Sequence, residues 1–161
     1  MFRGSFFGNM AVPCVFWENN WGNMNAESYC QRILSQVVDF LRSNPGTAQN
    51  SSELKHDNAP THTATVTKNY LRDHGIIRMK WPPYSPDLNP MENVWSHMKS
   101  HIYFRYGDSD GGRQRRRNEI FRFFQEAWNF FTQHQTLMYI LHGMQRRCEE
   151  VISAGGGHFC L

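Results

Sequence analysis

The four cysteines, at positions 14, 30, 148 and 160, form no CxxC pair and no short metal-ligand spacing. A disulfide framework and a cysteine-built metal site are therefore set aside, and a reducing compartment is expected. Nothing resembling a signal peptide precedes them. No apolar run approaches the roughly 20 residues a helix needs to cross a bilayer, so membrane transport and anchoring are also set aside. Aspartate is scarce early on, with Asp39 the only one before Asp57. Proline disappears after the basic cluster at 113–117. There is no internal repeat and no low-complexity block.

What remains is 161 residues, 40% hydrophobic and 14% aromatic, enough for one domain with a core. A net charge of +3 and a pI near 8.8 suit contact with a polyanion without requiring it. Residues 1–24 hold one compact apolar run, Ala11 to Trp17, that reads as a short strand, while Phe2, Phe6 and Phe7 need something to pack against. The expectation is that sequence is missing upstream. Asn25 is placed to cap a helix running to about Arg42, with Tyr29, Ile33, Val37 and Leu41 at fourfold spacing. Residues 52–57 are a poor strand by composition, ending at Asp57. Thr61 or Thr63 opens a second helix that carries Ala64, Val66, Tyr70 and Leu71 inward and ends at Gly75, a residue suited to a left-handed cap. Ile77, Met79 and Trp81 alternate with Arg78 and Lys80 in the period of a half-buried strand.

The run from Trp81 to Trp95 changes character twice. Four prolines, Pro82, Pro83, Pro86 and Pro90, hold its middle extended and remove N–H donors. Asn89 is a capping residue, Pro90 suits the first helical position, and Glu92 falls three residues after the cap. Met91, Val94, Trp95, Met98 and Ile102 trace one face of the helix, leaving Glu92 beside it. Two amphipathic stripes follow: Ile120, Phe121, Phe124, Ala127, Trp128 and Phe131, then Leu137, Leu141, Met144, Cys148 and Val151. Gly155 to Gly157 read as a flexible end or a final turn.

Asp57 and Glu92 stand out by placement, with 34 residues between them. The intervening helix, strand and connector would return both acids to the same end of a sheet, where open α/β folds bind ligands. Converging carboxylates suit Mg²⁺ or Mn²⁺. From spacing alone, an Asx turn at Asp57 and a capping box at Glu92 are the favoured readings. His97 and His101 lie one helical turn apart but lack a third ligand, and read as a solvated face. Arg113, Arg115, Arg116 and Arg117 suit phosphate contact or a solvated loop equally. The proline connector reads as a rigid turn rather than a docking motif.

The block His56-Asp57-Asn58-Ala59-Pro60-Thr61-His62, then Gly75-Ile76 and WPPYSPDLNPMENVW (81–95), resembles the DDE catalytic core of Tc1/mariner transposases, with the 34-residue spacing of the Tc1 type. The resemblance extends back through WGNMNAESYCQRIL (21–34) and forward through Arg146-Arg147-Cys148. It implies an α/β ribonuclease H-like fold whose acidic triad binds two divalent metals, Mg²⁺ or Mn²⁺, for DNA cleavage and strand transfer. Asp57 and Glu92 would be the catalytic and metal-binding residues. It further implies DNA as partner, a nuclear location, and a homodimer or pairing with an intact transposase.

No residue matches the family's first Asp, since Asp39 falls in the first amphipathic helix. The expectation is therefore one partial, N-terminally truncated domain, with a core at about 9–104 and a helical extension at about 114–153. Its incomplete sheet would lack the first central strand or strands and keep a run near 11–17, the strand ending at Asp57, and 76–81. Lys55 and His56 look degenerate beside the family's usual residues. Such a chain is expected to be inactive alone. The alternative is a non-catalytic nucleic-acid-binding or interaction remnant using 113–117 and the C-terminal helices.

Overall fold

The computed structural model describes residues 1–44, 52–83, 85–107, 114–133 and 136–156. By internal contacts the chain divides into two compact units, Met1–Phe7 with Val12–Tyr84, and Gly8–Ala11 with Ser85–Leu161.

The first unit begins with β1 (Phe2–Phe7), which pairs with β2 (Met10–Phe16). The two-residue link Gly8-Asn9 makes them a hairpin, and Gly8 takes the positive φ that such a turn demands. The strand near 11–17 is present, and β1 is its partner. Phe2 meets Phe16 edge-on at 4.8 Å. Asn25 caps the next helix by accepting the Ser28 N–H, while Ser28 Oγ accepts the Asn25 N–H. That helix is one continuous path in three parts: α1 (Ala26–Tyr29), a π-helical segment (Cys30–Leu34) and α2 (Ser35–Ser43). The wider π turn shifts the inward face, so Tyr29, Cys30, Leu34 and Val38 join Leu71 and Ile76 in a buried cluster.

β3 is only Glu53–Leu54, paired parallel with β4 (Ile77–Arg78). The expected strand through Asp57 therefore stops three residues short. The single sheet expected of 11–17, 52–57 and 76–81 is, among the described residues, two separate two-stranded sheets. The second helix is also divided, into α3 (Pro60–Thr63) and α4 (Thr65–Asp73), by extended backbone at Ala64. The break rotates α4, so Thr67 and Leu71 are buried and Val66 is exposed, against expectation. Gly75 ends α4 in the left-handed conformation, and the Ile76 N–H returns to Leu71 O at 2.9 Å. That return buries Ile76 (6% exposed) and turns Ile77 outward (48%), against the inward place the alternation gave Ile77, while Met79 and Trp81 stay half-buried and Lys80 exposed.

The second unit is helical: α5 (Pro90–Tyr106), α6 (Arg117–Gln133) and α7 (Thr136–Ser153) pack on one another. Val94 and Met98 are the buried positions of α5, as the stripe requires. In α6 the buried set is Phe123, Ala127, Trp128 and Phe131, whereas Ile120 and Phe121 are exposed. In α7 it is Leu137, Ile140 and Arg147, and Cys148 is exposed. Amphipathic helices this rich in aromatics permit more than one inward stripe, and packing selects among them. His97 and His101 lie against Phe131 and Phe130, with ring centroids 6.0 and 4.6 Å apart. Gly155 and Gly156, both at positive φ, close a final turn onto Ile152 O and Val151 O.

Candidate functional site

Asp57 follows β3 and precedes the proline that opens α3, so its backbone is held between two elements. Its Oδ1 accepts the Ala59 N–H at 2.9 Å, an Asx turn, and lies 2.6 Å from His62 Nδ1. The Asp57 side chain is 66% exposed and that of His62 only 5%. The carboxylate is thus an outward group gripped from the inside. Its other oxygen takes no hydrogen bond among the described residues.

Behind it lies a buried ring cluster that the sequence did not reveal. His62 stacks on His56 with centroids 4.7 Å apart and planes at 9°, and Tyr29 lies 4.5 Å from His62. Tyr29 Oη is 3.4 Å from His56 Nδ1, and Arg78 Nε donates to His56 Nε2 at 3.1 Å. Arg78 also donates to Asn58 Oδ1 at 2.7 Å, and Asn58 Nδ2 donates to Trp81 O at 3.1 Å. Lys55 lies 4.4 Å above the Trp81 ring. The two residues that looked degenerate therefore build the site, Lys55 over Trp81 and His56 beneath Asp57. The signal in the sequence was the pair of histidines bracketing the acid, one residue before it and five after.

Burial pulls the Asp57 carboxyl upward, but the Ala59 N–H and the adjacent His62 outweigh it and leave the group below the usual carboxylate range. Burial also dominates at His62, lowering its pKa despite the carboxylate's opposing pull. A true ion pair would raise the histidine, so the contact is a neutral imidazole donating to a carboxylate. His56 is pushed down to about 4, first by burial, then by His62 and Arg78. Burial raises the Tyr29 hydroxyl.

Glu92 sits in the second unit, exposed in the first turn of α5. Asn89 Oδ1 accepts the Met91 N–H at 3.2 Å, and Asn89 Nδ2 lies 3.3 Å from Glu92 Oε1. The capping box does not close, because the Asn89 N–H goes to Pro86 O at 2.8 Å. The Glu92 carboxylate is free of that duty.

In the basic cluster, Arg113 lies outside the described residues. Arg115 donates to Tyr106 O and covers the Phe123 ring at 4.9 Å, so it serves the fold of the second unit. The Arg116 N–H is capped by Glu119 at 2.8 Å. The side chains of Arg116 and Arg117 are exposed.

The donor chemistry at Asp57, one ionised outward oxygen, fits a hydrated divalent cation, which needs few protein carboxylates. It does not amount to a two-metal set. Among the described residues no group of three or more His, Cys, Asp or Glu is gathered to hold a metal.

The profile of the DDE superfamily endonucleases matches residues 16–110. The chain is 34% identical over 103 residues to the Tcb2 transposase of Caenorhabditis briggsae, covering 64% of this chain and 35% of the relative. It is 31% identical over 137 residues to the Tcb1 transposase of the same organism, covering 84% and 45%. It therefore spans less than half the length of either relative. The catalytic domain of Mos1 mariner transposase superposes at a TM-score of 0.74 with 19% identity, over 99% of this chain and 82% of that one. A Mos1 paired-end complex with Mn superposes at 0.73 with 20% identity, over 99% and 44%. Two small sheets flanked by helices are thus an open form of the ribonuclease H-like fold, and with the DNAP and NPxEN blocks at 57 and 92 the chain belongs to the DDE superfamily endonucleases, as a Tc1/mariner-like transposase domain.

Proposed function

We propose that the chain acts in DNA transposition, contributing Asp57 and Glu92 to the divalent-cation site of a DDE domain at the DNA phosphodiester. The carrying observation is the Asp57 carboxylate, ionised, outward-facing and gripped through one oxygen by Ala59 and His62. Mg²⁺ or Mn²⁺ suits these oxygen donors, and the Mn-bearing Mos1 complex supports that choice. When bound, such a cation stabilises charge on phosphodiester oxygens. The chain's own contribution is to present two fixed anions, from a turn and from a helix start. On this reading the chain, in which no residue matches the family's first Asp, is expected not to cleave DNA alone. Exposed Arg116 and Arg117 suit non-specific phosphate contacts, and with DNA as partner this reading expects the chain in the nucleus. Among the described residues no helix is long and apolar enough to cross a membrane. An intact relative would complete the set, whereas a second copy, lacking the same Asp, would pair without completing it.

Calorimetric titration with Mn²⁺ tests this reading. Asp57→Asn and Glu92→Gln are each expected to weaken binding about tenfold or more, in line with loss of a ligand. Unchanged affinity in both overturns it. In parallel, supercoiled plasmid incubated with the chain and Mn²⁺ should stay intact. Nicking that both substitutions abolish would show that the chain is catalytically complete.

A further inference from the structure

One oxygen of Asp57 is consumed inside the protein and the other is not. Oδ1 accepts from Ala59 N at 2.9 Å and lies 2.6 Å from His62 Nδ1. A carboxylate can only accept at neutral pH, so Nδ1 must carry the proton. Among the described residues His62 Nε2 is buried and has no hydrogen-bond partner. As a bare lone pair that orphan is tolerable; as an N–H it would be a buried donor with no acceptor. His56 stacks on one face of the imidazole at 4.7 Å and Tyr29 lies to its side at 4.5 Å, so the ring is packed from two directions.

We infer that His62 is a positioning residue, locked as the neutral Nδ1–H tautomer, that fixes Asp57 through Oδ1 so that only Oδ2 is offered to the cation. The inference rests on the proposal that Asp57 is a cation ligand. It assigns monodentate binding at this position and gives the buried histidine pair a role beyond filling the core. Hydrogen-bond partners of metal-ligating groups commonly contribute 10–100-fold to metal affinity.

Two measurements on the full chain test it. The first is the long-range ¹⁵N–¹H correlation spectrum of the histidine rings, with His62 assigned by its disappearance in His62→Asn. The expected pattern is a protonated Nδ1 and an unprotonated Nε2, opposite to the preference of a free histidine side chain. A protonated Nε2, or a doubly protonated ring, overturns the inference.

The second is Mn²⁺ affinity, followed by the loss of the free-ion electron spin resonance signal. Asparagine places its amide nitrogen where Nδ1 sits, and glutamine where Nε2 sits. His62→Gln and His62→Ala should therefore weaken Mn²⁺ binding about tenfold, while His62→Asn stays close to the wild type. Equal affinity in all three variants, with Asp57→Asn still destroying binding, overturns the positioning role and leaves the cation reading standing. No loss in Asp57→Asn overturns the cation reading and the Oδ2 assignment with it, and the tautomer spectrum then decides the anchoring alone. The wild-type spectrum and His62→Asn keep the inference decidable if His62→Ala fails to fold.

Discussion

Asp57 and Glu92 carry the same charge and end the same motif pair, yet they are held in opposite ways. Glu92 is supported by its own turn, through Asn89 three residues before it. Asp57 is gripped by His62, whose ring packs on His56 and on Tyr29, far upstream in α1. A carboxylate restrained by its own turn is as mobile as that turn. One restrained by a buried cluster is as rigid as the core that holds the cluster, and fails when that core fails.

The strongest test of this difference is to loosen each core separately. Leu71 is 1% exposed and shares a cluster with Tyr29, so Leu71→Ala should cost about 2–5 kcal/mol and release the rings behind Asp57. Met98 is fully buried in α5, and Met98→Ala should cost a similar amount, about 2–5 kcal/mol, in the second unit. Native-state hydrogen exchange reads both outcomes at the Ala59 amide, which donates to Asp57, and the Met91 amide, which donates to the Asn89 cap of the Glu92 turn. Leu71→Ala should accelerate Ala59 far more than Met91, and Met98→Ala the reverse. Equal acceleration of both amides in both variants would mean that the two acids share one cooperative unit, and the contrast would collapse.

Acid should separate the two regions next. His56 titrates near 4 when folded against an ordinary 6.5, because it is buried and faces His62, Arg78 and Lys55, with only Asp57 pulling the other way; Tyr29 stays neutral beside it. Between those values the unfolded chain binds the extra proton, so stability rises with pH across the window. It is fully present above about 6.5 and is lost as pH falls toward 4. His62, lowered in the same direction, adds to the slope. Urea unfolding of the chain at pH 7, 6 and 5 should show a falling midpoint that flattens in His56→Gln. A midpoint independent of pH would place neither histidine in a buried neutral state.

What could be read from the sequence divides along the same line. Signals confined to one turn were legible: the Asn25 and Asn89 caps, Pro90 at the start of α5 and the left-handed Gly75 all stand where their side chains demanded. Signals that depend on partners distant in sequence were not. Whether Ile76 or Ile77 turns inward is decided by the Schellman return after α4, and whether Val66 or Thr67 does by the break at Ala64. Phe123 replaces Ile120 and Phe121 inside α6 because packing against α5 and α7 selects one of several aromatic stripes. The acids themselves stood out by their placement, and the resemblance of their motifs turned them from turn and cap residues into candidate ligands. The histidines that support Asp57 were printed in the same block, but nothing local said that one is a donor and the other a stacking surface.

The smaller tests fall at the Glu92 end. Asn89→Ala removes the acceptor of the Met91 N–H and should cost about 1 kcal/mol, confined to fraying of the first turn of α5. Glu92→Gln should cost less still. The amide keeps an oxygen for Asn89 Nδ2, and what disappears is a negative charge near the positive end of the α5 dipole, worth about 0.3–1 kcal/mol at an exposed position. Asp57→Asn keeps an acceptor as well, but it downgrades two hydrogen bonds to a charged oxygen into neutral ones, one of them from a buried donor, and hydrogen bonds to charged groups are worth roughly twice as much as neutral ones. Urea midpoints measured without metal should therefore rank Asp57→Asn as more destabilising than Glu92→Gln. If Glu92→Gln proves the costlier of the two, Glu92 has restraints beyond its own turn, and the long-range grip on Asp57 is not what distinguishes the two acids.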